Sequence, residues 1–264
     1  MAYIIGESYR AIRDILFNDD PENMERVGSI HFPLSVVLLY LLFVKWLGPL
    51  LMKPFKPLRL NSLLIAFNIS IVVWNAYVSF NIANIIYDSA KNGKLCNLMT
   101  NEVNMKYYVN KAYKFVWLFY ISKYVDLLDT IFFVLRKKHR QISFLHVFHH
   151  STVILLIWWG IRYKCRGGYI GVGISLNSFV HVCTYTYYAL SACGPKIQRY
   201  TYPRKIYLTF VQVIQFWIVL GYIAWGLISG CEHLDKGAGT SVIFFSILMI
   251  LFANFYVKNY KKKQ

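Results

Sequence analysis

Long apolar stretches separated by short polar ones run almost from end to end of this chain. Seven are long enough to cross a bilayer, which takes about 20 largely apolar residues. They are residues 30–52, 62–87, 113–135, 142–161, 168–192, 204–228 and 240–257. Together they take up most of the 264 residues and leave no room for a separate soluble domain. The pattern predicts an all-α polytopic membrane protein: a single transmembrane domain of seven helices over residues 1–264. A polar segment, 1–29, precedes it and a basic tail, 258–264, follows. The first 29 residues mix charges and lack an apolar core, so no cleavable signal peptide is expected.

Composition agrees with the pattern. The chain is 57% hydrophobic and 18% aromatic, whereas soluble domains sit near roughly 45–50% apolar. The net charge of +17 would suit nucleic acid in a soluble protein. In a chain this apolar, the charge instead orients the protein and meets anionic lipid, and no nucleic-acid partner is expected.

Lys and Arg are only slightly biased between the two sets of loops. The bias is firmer in the loop between spans 3 and 4, where Arg136, Lys137, Lys138 and Arg140 fill four of five positions. That side and the C-terminus are therefore placed in the cytosol, and the N-terminus in the lumen. Lys261 and Lys262, in the final Lys-Lys-Lys-Gln, then read as a di-lysine retrieval signal of the endoplasmic reticulum, or else as a basic anchor. Cys96 and Cys231 fall in loops assigned to the oxidising lumen and can pair, with Cys165 as the rival partner.

Polar residues interrupt the spans at particular places. A charge in the middle of a span costs about 2.5–3.5 kcal/mol on insertion scales and needs a reason. Span 3 carries Lys123, Asp126 and Thr130 on one helical face, with Asp129 beside them. They can form a hydrogen-bonded network, or a structural clamp between helices. Span 5 carries Asn177, His181, Thr184, Tyr185 and Tyr188 on one face, and span 6 repeats Thr209, Gln212 and Gln215 at three-residue steps. Such amides and hydroxyls line a wet cavity or glue helices together.

Depth draws these groups together. At 1.5 Å per residue from the cytosolic ends, the histidines of span 4 lie roughly 6–12 Å deep and Asp129 roughly 9 Å. Gln212 comes to roughly 12 Å and His181 to roughly 16 Å. Four helices thus place polar groups in one layer, which predicts one site.

His146, His149 and His150 open span 4 at i, i+3 and i+4 and can share a face. Three readings compete. A metal would lack the glutamate of a His-Glu-x-x-His site, because Val147 holds that position. Two irons would be under-ligated by four histidines and two aspartates at depth, so no metal and no cofactor is expected. Alternatively, a neutral imidazole is a competent nucleophile toward a thioester, with a second histidine to hold its tautomer or pass a proton. The third reading is packing, for which three imidazoles are poorly suited. Whole-protein alternatives are a metal-dependent lipid oxidase and a transporter with a buried Lys/Asp/His relay. A transporter predicts polar residues through the full membrane depth and often an internal repeat, and the chain has neither.

At this point the residues resemble the ELO family of fatty acid elongases, the very-long-chain 3-oxoacyl-CoA synthases. The histidine box stands here as His146-Val-Phe-His149-His150. The family's Lys-x-x-Glu-x-x-Asp-Thr stands as Lys123 to Thr130, with Asp126 in place of the glutamate. That acid is a methylene shorter, so its partner must be closer or bridged by water. The family's His-x-x-Met-Tyr-x-Tyr-Tyr stands as His181 to Tyr188, with Thr184 replacing methionine, a loss of apolar bulk that would widen the site. Thr209-x-x-Gln212-x-x-Gln215 also matches. Four motifs in the right order make the likeness specific, and it covers nearly the whole chain.

The resemblance implies a ring of six helices, spans 2–7, around an acyl tunnel, in the endoplasmic reticulum membrane. It implies condensation of a long-chain acyl-CoA with malonyl-CoA to give 3-oxoacyl-CoA, carbon dioxide and CoA. His149 resembles the position that carries the acyl group as an acyl-imidazole, and His181 the second reacting histidine. His146, His150 and Asp129 are assigned to orientation and proton handling. Lys123 joins the substrate-binding set. Arg136, Lys138, Arg204 and Lys205 are candidates for the phosphates of CoA. Gln141, Tyr187, Thr209 and Gln212 are candidates for its pantetheine arm or the thioester. The other enzymes of the elongation cycle are expected partners, and a homodimer is left open. The run Gln141-x-x-Phe144-Leu145-His146 leans toward the long-to-very-long-chain branches of the family.

Overall fold

A computed structural model of the protein describes residues 29–91, 106–163, 168–229, 231 and 236–259. Among the described residues all regular structure is helical. The long helices are α1 (His31–Met52), α2 (Asn61–Lys91), α3 (Lys106–Leu135), α4 (Phe144–Arg162), α5 (Gly168–Ala192), α7 (Lys205–Ile228) and α8 (Lys236–Asn259). They coincide with the seven predicted spans, although α3 starts earlier, at Lys106 rather than 113. The short α6 (Pro195–Thr201) falls in a segment expected to be a plain loop. Its start is legible in hindsight. Gly194 takes a left-handed φ of 129°, and Pro195 follows with its torsion preset for a first helical turn.

Among the described residues, five stretches are long and apolar enough to cross a membrane: His31–Met52, Asn61–Lys91, Phe144–Arg162, Pro195–Ile228 and Gly237–Lys258. The remaining long helices, α3 and α5, are the two that carry Lys123–Thr130 and Asn177–Tyr188. Their polar faces dilute the apolar signal.

The chain packs as two compact units. The first takes residues 1–60 and 120–164, the second 61–119 and 165–264.

In the first unit, α1 is interrupted by a π turn over Phe43–Leu47. Pro49 explains it: the ring lacks an N–H and crowds the carbonyl four residues back, which an extra residue in the turn relieves. Gly48 lets α1 approach α3, since a Cβ there would lie 2.8 Å from both the Phe43 carbonyl oxygen and Val134 Cγ1. The segment entering α2 is tied to the end of α3 by Leu58 N–H donating to the Leu135 carbonyl at 3.1 Å.

In the second unit, α2 buries Leu64, Asn68, Ile71, Asn75, Val78, Ile82 and Ile85. The steps alternate between four and three residues, the seam of a coiled coil. The facing helix is α5, running antiparallel: Phe67 meets the Tyr185 ring at 6.4 Å, and further along Ser79 meets Ser175. Those serines bond reciprocally, Ser79 Oγ to the Ser175 carbonyl at 2.9 Å and Ser175 Oγ to the Ser79 carbonyl at 3.2 Å. Small hydroxyl residues let two backbones come close and hold them there. Tyr169, Val219, Ile223 and Ala238 form a further buried cluster joining α5, α7 and α8.

Candidate active site

The histidine box occupies the first turns of α4. Ser143 caps that helix, its hydroxyl accepting the His146 N–H at 3.2 Å. Helical spacing then brings the three imidazoles together. The rings of His146 and His150 are 4.3 Å apart between centroids, and those of His149 and His150 5.5 Å. Phe133 of α3 packs against His146 at 5.6 Å.

The histidines differ in how they are held. His146 Nε2 is hydrogen-bonded to Thr130 Oγ1 at 2.9 Å. The same Thr130 oxygen bonds the Tyr40 hydroxyl of α1, also at 2.9 Å. By contrast, His149 Nδ1 is buried and has no hydrogen-bond partner among the described residues. His146 is thus held through Nε2 by a side chain of another helix.

Lys123 and Asp126 stand on the facing side of α3. They form a direct ion pair at 2.8 Å and are 1% and 0% exposed. The shorter acid found its partner by the closer route: the two are one turn apart on the same helix, with no water needed between them. Both lie near enough to His149 to act on it electrostatically. Asp129 is also buried, and its charge reaches Tyr40. Among the described residues, no three His, Cys, Asp or Glu side chains gather in a way that could hold a metal ion.

The basic loop after α3 has a defined shape. Lys138 N–H donates to the Phe133 carbonyl at 2.8 Å and Lys137 N–H to the Val134 carbonyl at 2.9 Å. These two bonds make a Schellman cap. Lys137 sits at its left-handed position with φ 54°, a place glycine usually takes. Arg136 is half-buried, and that burial pulls its guanidinium below the ordinary value. Lys138 and Gln141 are exposed, Gln141 closing the 3-10 turn His139–Gln141.

In the second unit His181 is buried on α5 and stacks on Tyr185 at 5.5 Å. Tyr185 meets Tyr188, and Tyr188 meets Tyr187, each at 5.8 Å. Thr184 and Ser178 on α5, and Gln215 on α7, each bury a polar oxygen with no hydrogen-bond partner among the described residues. Thr209 is buried and Gln212 half-buried on the same helix as Gln215. Lys205 lies 5.9 Å above the Phe255 ring. Arg204 folds over Tyr200, 3.6 Å from the ring centroid, and donates to its carbonyl. Both basic side chains are therefore steered by aromatic neighbours.

Cys231 is disulfide-bonded, whereas Cys183 and Cys193 are free. Cys96 and Cys165, the expected partner and its rival, lie outside the described residues, as do Lys261 and Lys262.

The sequence reading had no place for Tyr40. Its only signal was a phenol in the otherwise apolar run Leu38-Leu39-Tyr40-Leu41-Leu42.

The sequence profile of the ELO (GNS1/SUR4) family matches residues 26–264. The chain belongs to the ELO family. It is 39% identical over 242 residues to human very long chain fatty acid elongase 4, covering 91% of this chain and 75% of that one. It is 35% identical over 265 residues to human very long chain fatty acid elongase 1, covering 95% and 89%. A Drosophila melanogaster relative, very long chain fatty acid elongase 7, is 34% identical over 263 residues, 97% of this chain and 77% of that one. With its long apolar helices, this ELO chain is a multi-pass membrane protein.

Proposed function

We propose that this protein is a fatty acid elongase that condenses a long-chain acyl-CoA with malonyl-CoA. Its ELO membership and the elongases it resembles support an enzyme of fatty acid elongation. The finer reading is carried by one observation: His149 has a buried nitrogen with no hydrogen-bond partner among the described residues, beside a His146 that Thr130 holds.

In this reading a lone pair of the His149 imidazole attacks the acyl thioester carbon. The carbon–sulfur bond breaks, a carbon–nitrogen bond forms, and CoA leaves as the thiol with the imidazole proton. Malonyl-CoA then loses carbon dioxide, and its enolate carbon attacks the acyl carbon. The carbon–nitrogen bond breaks, 3-oxoacyl-CoA is released, and the departing imidazole takes up one proton. Splitting the substitution in two lowers each barrier. An acyl-imidazole hydrolyses readily, so burial of the histidines protects it. Asp129, His146 and His150 orient and move protons, and His181 is assigned by its motif as the second reacting histidine. Arg136, Lys137 and Lys138 meet the CoA phosphates on the cytosolic side. The endoplasmic reticulum as location, with the N-terminus in the lumen, belongs to the same proposal.

Intact-mass measurement after incubation with an acyl-CoA and no malonyl-CoA tests it. The expected result is a mass increase equal to the acyl group, absent from His149→Ala together with 3-oxoacyl-CoA formation. Full turnover by His149→Ala overturns the assignment.

A further inference from the structure

Tyr40 lies on α1, 90 residues from Thr130, and their hydroxyls meet at 2.9 Å with both residues buried. Thr130 in turn meets His146 Nε2 at 2.9 Å. Three groups on three helices thus share two hydrogen bonds through one threonine oxygen. A threonine hydroxyl has one proton to give, so it cannot donate to both neighbours. If it donates to His146 it must accept from Tyr40, and the ring nitrogen is then an acceptor. If it accepts from His146 it is free to donate to Tyr40, and the nitrogen carries the proton. Accepting from both neighbours would leave the buried Thr130 proton without a partner among the described residues, so the relay has two directions, and each selects one tautomer of His146.

Chemistry favours the first. A phenol is more acidic than an aliphatic alcohol and so the better donor, and the aliphatic hydroxyl is the better acceptor. We propose that Tyr40 is a positioning residue that, by donating to Thr130, makes Thr130 donate to His146 Nε2 and holds His146 as its Nδ1–H tautomer. Tyr40 touches no reacting atom in this scheme. It acts through Thr130 on a ring whose centroid is 4.3 Å from that of His150, which itself lies 5.5 Å from His149. The helix that would otherwise count as a lipid-facing bystander therefore sets the hydrogen-bond polarity of the histidine box. Its Gly48 contact with Val134, a turn beyond Thr130 on α3, fixes the approach that lets the phenol reach.

The kinetic consequence rests on the elongase reading, but the tautomer does not, and the two are measured separately. In nanodiscs with 15N-labelled histidine, the ring signals of His146, identified by their loss in His146→Gln, report which nitrogen is protonated. The expected result is Nδ1–H in the native protein and a mixed or Nε2–H population in Tyr40→Phe, which keeps the ring and deletes only the hydroxyl. Native Nε2–H, or no change in Tyr40→Phe, overturns the proposal. Turnover of Tyr40→Phe should fall about five- to tenfold, the scale of one positioning hydrogen bond, through kcat rather than the KM for either CoA ester. An unchanged kcat beside a changed tautomer would leave the relay standing and sink the assigned role of His146. If Tyr40→Phe does not fold, Thr130→Ser and Thr130→Val ask the same question from the other end. Serine should keep the Nδ1–H form and valine lose it; identical spectra from the two overturn the relay.

Discussion

Lys123 Nζ and Asp126 Oδ2 lie 2.8 Å apart, one helical turn from each other, with almost no surface left to solvent. Neither charge would be tolerated alone at this depth, and together they let α3 carry polar groups into the protein interior. Asp126→Asn removes the carboxylate paired with the ammonium group and should cost about 3–5 kcal/mol of stability. A Lys123→Met, Asp126→Leu double variant should recover much of that loss, since it removes both charges. Equilibrium unfolding in mixed micelles reads both. A single variant as stable as the native protein would show that the pair is not what balances Lys123.

Lys137 pays a conformational cost for its place in the cap. A left-handed backbone costs a residue with a Cβ roughly 1–2 kcal/mol, and glycine nearly nothing. Lys137→Gly should therefore raise the unfolding midpoint, while Lys137→Ala should not. If the ammonium group meets CoA phosphates, both variants should raise the KM for acyl-CoA alike. The comparison separates backbone from charge. Equal stabilities for the two would refute the cap argument.

Gly48 has no room to grow. Alanine would put a methyl 2.8 Å from a backbone oxygen and from Val134 Cγ1, and the backbone oxygen cannot rotate away. Gly48→Ala should destabilise by about 1–3 kcal/mol, as overpacking does. Val134→Ala in the same chain should relieve part of this by freeing one of the two contacts. A fully stable Gly48→Ala would mean that α1 can move off α3.

The reciprocal Ser79–Ser175 bonds lock the α2–α5 seam. Interhelical hydrogen bonds of this kind average only about 0.6 kcal/mol in membranes. Ser79→Ala and Ser175→Ala should each cost about that much, and the double variant near their sum, because the two bonds are separate. A loss several times larger in either single variant would point to a backbone rearrangement rather than a lost hydroxyl.

The sequence resolved the local geometry well. Apolar run length located the seven long helices, and three- and four-residue spacing put His146, His149 and His150 on one face. The heptad steps from Leu64 to Ile85 were there to be read as well. Local backbone geometry repeats every 3.6 residues whatever surrounds it, so a pattern that obeys this period survives folding unchanged.

Other features are invisible at that level. Nothing in the sequence around Tyr40 says that its hydroxyl meets Thr130, because that contact depends on the rotation and axial register of α1 against α3. Lys137 in a left-handed turn breaks the usual glycine signal, and only the chain's exit from α3 required it. Spacing grouped the three histidines but could not tell them apart. The difference between His146, bonded through Nε2, and His149, with Nδ1 unpartnered among the described residues, comes from side chains that other helices bring to them. The sequence by itself thus determined where the long helices run and which of their faces carry polar residues. The tertiary structure decided which nitrogen is held, because hydrogen bonds between helices depend on the placement of atoms distant in the chain.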